Sequence, residues 1–233
     1  MVPSLDPSTA RRLLGAALAC LALTGLAVAF VDLPAATWSH AHLRGIAIFP
    51  WLTHLVDPLV PAAVLALAVA AAGVASGRPL APWLRVLVAC GLSLVIAVVV
   101  KDQLKFACGR LWPETWTHGN PSWVANGAHG FFPFHGGEGW ESFPSGHMTR
   151  ITAAMAVLWL RVPRGRWLWG AGVGLVAAGL FGANYHFIGD MIAGMGIGAG
   201  CAAGVVAWMY PRHSENRSVL EGGAPSPPIP DRR

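Results

Sequence analysis

A chain of 233 residues in which 55% are hydrophobic and only 12% are charged lacks the polar surface a water-soluble domain needs, because soluble domains run nearer a quarter charged. The net charge of +5 comes with no Lys/Arg-rich run and no nucleic-acid motif, so the basic residues read as membrane-topology signals and not as a nucleic-acid surface. Cys20, Cys90 and Cys201 lie inside apolar runs and only Cys108 approaches a loop, which excludes a disulfide framework and leaves them as packing residues.

A crossing helix needs about 20 apolar residues. The first apolar run is Leu13 to Val31, behind Arg11 and Arg12. A charged start and an Ala-rich end also fit a signal peptide, but the run is longer than a signal core and reads as a retained anchor. The second run is Leu59 to Ala75. The third is Trp83 to Val100, with room to continue past Lys105. The fourth follows His147 and ends near Leu160, the fifth is Trp167 to Phe181, and the sixth is Phe187 to Met209. The expected fold is therefore all-α: a polytopic bundle of six transmembrane helices over residues 1–211, with a structured outer loop between the third and fourth.

Asp32 to Asp57 reads as an outer connection with an interfacial stretch from Ile46 to Leu55, and Cys108 to Pro144 as a long loop rich in Gly, Pro, His and Trp. Loops of that length often carry function. The polar, Pro-rich tail 212–233 is expected to be disordered and cytoplasmic. Arg11, Arg12, Arg78, Arg85, Arg161, Arg164, Arg166 and Arg212 all fall on one side of such a bundle, which the positive-inside rule makes cytoplasmic. Tryptophans gather near both ends of the spans, Trp38, Trp51, Trp112 and Trp123 outside, and Trp83, Trp159, Trp167 and Trp208 inside, as an aromatic belt requires.

Ionisable residues near spans are costly and need a reason. They cluster at three places, all expected on the outer side. The first is Lys101-Asp102-Gln103-Leu104-Lys105, followed by Arg110 and Trp112-Pro113; on a helix Lys101 and Lys105 share a face, either as cations of a site or as lysines snorkelling at a helix end. The second is Pro144-Ser145-Gly146-His147, where a turn opens a helix. Free backbone N–H groups and the helix dipole favour a phosphate there, Ser145 can cap or donate, and Gly146 lets the backbone approach. The third is His186-Phe187-Ile188-Gly189-Asp190, which puts a His and an Asp four apart on one helix face. An Asp that accepts from one imidazole nitrogen leaves the other as nucleophile or base. Two histidines, a carboxylate, a phosphate-suited helix start and several cations on one membrane face suit phosphoryl transfer, with one His attacking and the other protonating the leaving oxygen. No metal or cofactor is called for.

In order and spacing these residues resemble the type 2 phosphatidic acid phosphatase superfamily. Its pattern is Lys-x6-Arg-Pro, then Pro-Ser-Gly-His, then Ser-Arg-x5-His-x3-Asp. Lys105 with Pro113, Pro144 to His147, and His186 with Asp190 match; Trp112 stands at the first arginine, and Gly179 and Leu180 at the Ser-Arg pair. The resemblance implies His186 as nucleophile, Asp190 as its orienting partner and His147 as general acid. Lys105, Ser145, Gly146 and Arg110 would bind phosphate, and Arg150, on the face of His147, would stand in for the second missing arginine. It implies a lipid phosphatase of bacterial type in the inner membrane, active at the periplasmic or outer face with both termini cytoplasmic. Its substrate would be a lipid phosphomonoester or pyrophosphate, with membrane lipids as its other partners. A lipid-to-lipid phosphotransferase, or a non-catalytic lipid-phosphate binder, remains an alternative.

Overall fold

The computed structural model describes residues 7–116 and 118–211; the tail 212–233 lies outside the described residues. Helices α1 (Pro7–Leu26) and α2 (Asp32–Leu43) are joined by a π-helical turn, Ala27–Val31. The N–H of Asp32 reaches back five residues to the Ala27 carbonyl. That wider turn comes just before Pro34, where the proline ring crowds the preceding turn and removes a donor, a common reason for a helix ladder to loosen. The three pieces form one 36-residue apolar helix, Ser8–Leu43, about 54 Å long at 1.5 Å per residue. The segment after Asp32, expected as a loop, is therefore largely helical. Its Leu and Ala residues continue the helix until Gly45 turns it with φ 87°.

Then follow α3 (Ile48–Thr53), a 3-10 turn, and α4 (Leu59–Ala75), together a second long apolar stretch, Ile48–Ala75. Helix α5 (Pro82–Cys108) opens with Pro82, whose missing N–H is no loss at a helix start, and closes at Gly109. Gly109 is left-handed (φ 57°), and a Cβ there would collide with the Phe132 carbonyl oxygen, so only glycine fits this cap. The described part of the outer segment 109–145 contains a short helix, α6 (Trp123–Asn126), and a 3-10 turn, Glu138–Trp140, and is tied together by isolated bridges from Arg110 to Phe131 and Glu141 and from Trp112 to Ser122. The remaining helices are α7 (Gly146–Arg161), α8 (Arg166–Gly182) and α9 (Ile188–Met209).

Among the described residues, four helices are long and apolar enough to cross a membrane, not six: Ser8–Leu43, Ile48–Ala75, Pro82–Cys108 and Ile188–Met209. The expected fourth and fifth spans are the short ones. Helix α7 has 16 residues and α8 has 17, about 24 and 26 Å, against a hydrocarbon core of about 30 Å. The fourth and fifth runs coincide closely with α7 and α8, so the error lay in counting such short runs as crossings, whereas the first run underestimates its helix, which continues well past Val31.

Helix α7 sits at the centre, packed on α5, α8 and α9. Met148, Ile151, Val176, Leu180 and Met191 form the main buried cluster with Val56. The α7–α9 crossing depends on small residues, as close helix packing in lipid does. A Cβ on Gly198 would stand 2.6 Å from the Thr149 carbonyl oxygen and 2.7 Å from the Ala153 nitrogen, both backbone atoms with no freedom to yield. Gly198→Ala is thus expected to cost about 1–3 kcal/mol and to lower the thermal midpoint in detergent; an unchanged midpoint would show that the two helices can separate without penalty.

Candidate active site

Four helix ends meet on one side of the bundle. The C-terminal turn of α5 brings Lys101 and Lys105, the start of α7 brings Ser145, Gly146, His147 and Arg150, and the residues entering α9 bring His186 and Asp190. The fourth end is the start of α2 at Asp32, which the sequence reading left in a loop.

Ser145 caps α7: it is extended, fully buried, and its Oγ accepts from the Met148 N–H. Its own N–H donates to the Asp190 carbonyl at 3.0 Å, locking α7's start to α9's first turn. Gly146 follows, with the Lys101 stem laid against it; a Cβ at Gly146 would lie 3.4 Å from Lys101 Cδ and 3.8 Å from its Nζ. The Lys101 ammonium pairs with Asp102. Lys105 is buried, donates to the Glu141 carbonyl and lies 5.4 Å from the Trp112 ring centre.

The His147 and His186 rings are 6.4 Å apart between centres, inclined at 64°. His186 Nδ1 faces Asp190 Oδ2 at 3.6 Å, just beyond hydrogen-bonding distance. Burial pushes the His186 imidazole below its ordinary value, against the pull of Asp190. Burial, then His186 and Arg150, push His147 down to about 3. Asp190 is fully buried and held on all sides: Ser142 Oγ donates to its Oδ2 at 2.6 Å, the Phe187 N–H to the same oxygen at 3.1 Å, and Arg110 to its Oδ1 at 2.5 Å.

The two arginines expected as phosphate ligands sit in different surroundings. Arg110, buried, donates from Nη2 to Asp32 at 2.7 Å as well as to Asp190, and its plane lies between the Phe131 and Phe187 rings at 4.8 and 4.4 Å. Burial would lower its guanidinium, but Asp190 and Asp32 hold it above its ordinary value. Both terminal nitrogens are thus committed to carboxylates. Arg150 donates from Nε to the Gly146 carbonyl at 3.2 Å, which keeps it at the mouth of α7. The Trp112 ring lies 5.0 Å from that of His186 between centres, tilted at 42°. Leu180 is packed in the core, and Gly179 abuts the Phe49 carbonyl, so no cation comes from that stretch.

Ser142 and Asp32 were missed by sequence reasoning. Asp32 had a signal, an acid at the end of an apolar run; Ser142 had none. Behind the site a second polar cluster joins helices: Glu114 is buried, accepts from the Asn184 side chain at 3.0 Å, and lies 2.5 Å from His40 Nδ1. Asn184 takes a left-handed turn (φ 55°) into the strand of residues that carries His186.

Residues 85–214, more than half of the chain, match the PAP2 superfamily. The chain belongs to that superfamily. All three motif regions lie inside the matched stretch, whereas Asp32 lies outside it. The chain is also similar to a lipid A 1-phosphatase of Rhizobium johnstonii, 33% identical over 115 residues. That match covers 46% of this chain and 41% of the relative, so it spans less than half of that protein's length. No solved structure matches.

Proposed function

We propose that this PAP2 protein is an integral membrane phosphatase that removes a phosphate from a lipid phosphomonoester or pyrophosphate through a phosphohistidine. The observation that carries the reading is the pair of imidazoles 6.4 Å apart, His147 half-buried and His186 buried and backed by Asp190, beside a capped helix start and Lys105. His186 attacks phosphorus in line; its other nitrogen, Nδ1, faces Asp190, which steadies the charge that develops as the N–P bond forms. His147 protonates the leaving oxygen, and water then attacks the phosphohistidine as His147 takes up the proton. Lys105, the Ser145 hydroxyl, the Gly146 N–H and Arg150 hold the phosphoryl oxygens. The lipid phosphatase among its relatives supports a lipid substrate, and the apolar helices support presentation from the bilayer. With Arg11, Arg12, Arg78 and Arg85 on the cytoplasmic side, the site opens at the opposite, periplasmic face of a bacterial inner membrane.

The test is phosphate release by the purified full chain in detergent, without added metal, from a panel of lipid monophosphates and pyrophosphates. Release from at least one lipid supports the reading, and silence across the panel from folded protein sinks it. Within an active panel, Arg150→Ala is expected to raise KM about tenfold or more, as loss of one charge-assisted phosphate contact would. An unchanged KM would remove Arg150 from the binding set.

The second reading is a non-catalytic lipid-phosphate binder. It draws on Trp112 standing where the family carries arginine and on Arg110 being committed to two carboxylates.

A further inference from the structure

The first long helix reaches the site through one buried residue. Asp32 is 1% exposed and Asp190 fully buried, with Arg110 at 4% between them. Arg110 Nη2 donates to Asp32 Oδ2 at 2.7 Å and Nη1 to Asp190 Oδ1 at 2.5 Å. The remaining Asp32 oxygen accepts from the Gly189 N–H at 2.7 Å, one residue before Asp190. Gly189 is tight against it: a Cβ there would lie 2.9 Å from Asp32 Oδ2. Desolvating three charges is expensive, several kcal/mol per ion, and is offset only when geometry and hydrogen bonds are good. Here every carboxylate oxygen of the pair has a donor, and only Arg110 Nε lacks a partner.

The charge balance gives this arrangement a consequence for His186. With one guanidinium and Asp190 alone, the pair would be neutral and the field at His186 weak. By drawing on the same guanidinium, a second carboxylate leaves Asp190 less neutralised by Arg110, beside an imidazole that must become cationic in character as it attacks. We propose that Asp32, contributed by the N-terminal helix from outside the matched family region, is a positioning residue of the catalytic centre: it shares Arg110 with Asp190 so that Asp190 keeps its charge and its place for His186. This rests on the phosphohistidine reading for its catalytic meaning, though not for its electrostatics. The groups facing His186 are Asp190 from α9, Lys105 from α5, His147 from α7 and Trp112 from the outer segment, with Arg110 behind Asp190. Asp32 acts through the last of these.

The test compares wild type, Asp32→Asn, Arg110→Gln and the double variant as full-length protein in detergent. His186 titration is followed by its imidazole nitrogen shifts, and lipid phosphate hydrolysis is measured in parallel. Removing the Asp32 charge disfavours the imidazolium, so the His186 midpoint is expected to fall in Asp32→Asn by roughly 0.5–1 unit, less than the about 1–3 units of a directly contacting charge. Turnover is expected to fall about tenfold with KM within about twofold, the pattern of a lost transition-state interaction. In the Arg110→Gln background, Asp32→Asn is expected to add little, as a double-mutant cycle demands of a residue acting through its partner. A buried staple without influence on His186 would lower the thermal midpoint and leave the titration alone. Unchanged His186 titration in folded Asp32→Asn overturns the proposal, as does an equal shift in both backgrounds. Should Asp32→Asn not fold alone, the Arg110→Gln pair decides: an Asp32-dependent His186 midpoint there rules out action through Arg110. If the wild type hydrolyses no lipid phosphate, the phosphatase reading fails while the titration still decides the role of Asp32.

Discussion

His186→Ala is expected to reduce phosphate release by roughly ten-thousand-fold or more, the scale on which loss of a covalent nucleophile is felt. No neighbour can substitute. His147 is 6.4 Å away between ring centres and sits on the side where the leaving group must depart, so it lacks an in-line approach. Asp190 is enclosed by Ser142, Arg110 and the Phe187 N–H and does not face the opening. Rapid acid-free quenching of wild type with radiolabelled lipid phosphate should trap a phosphorylated chain, stable to base and labile to acid as a phosphoramidate is. The alanine variant should trap none while keeping its thermal midpoint. A variant retaining a tenth of the wild-type rate would mean that water attacks phosphorus directly, with His186 at most a base.

The parts of this centre that were legible in the sequence are local ones. Pro144 to His147 opens a helix because Ser145 caps it, and capping is read from a few adjacent residues. His186 and Asp190 do approach each other, though not on one helix face as their spacing implied: His186 lies before α9, outside its cap Phe187, and the turn that caps the helix brings it to Asp190. Lys101 and Lys105 lie on the same end of α5 because four residues make about one helical turn. Arg110 was a different kind of problem. Its position near the motif implied a phosphate ligand, yet its guanidinium is taken by Asp32 and Asp190, 78 and 80 residues away. No spacing rule encodes a pairing across that distance. The span count failed on a related point. Hydropathy reports where apolar residues run, whereas helix ends follow caps, prolines and turns, and Pro163 and the Asn184 turn cut α7 and α8 short of a crossing length. The π turn before Asp32 carries the same lesson. It carries the helix on into a segment read from the sequence as an outer connection, and in doing so delivers Asp32 to the site.

The second large effect concerns the proton. His147 is held at about 3 by burial, with His186 and Arg150 adding to it, so on these surroundings alone it is neutral at pH 7 and cannot serve as an acid. A bound phosphate dianion changes that field, because negative charge close by favours the imidazolium. Binding of inorganic phosphate at pH 7 is therefore expected to take up a proton, measured as a dependence of calorimetric binding heat on buffer ionisation enthalpy, and His147→Asn should abolish the uptake. The same depressed value has a sign for stability. The unfolded chain binds the proton at its ordinary pKa and the folded one resists it, so His147 lowers stability progressively as pH falls from about 6.5 toward about 3, and His147→Asn should flatten that acid slope. In turnover, His147→Asn is expected to slow an alkyl lipid phosphate by about 100- to 10,000-fold, the range for a lost general acid. An aryl substrate such as p-nitrophenyl phosphate needs no proton on its leaving oxygen and should lose far less. Equal losses on the two substrates would make His147 a phosphate ligand and leave the leaving group to be protonated by water.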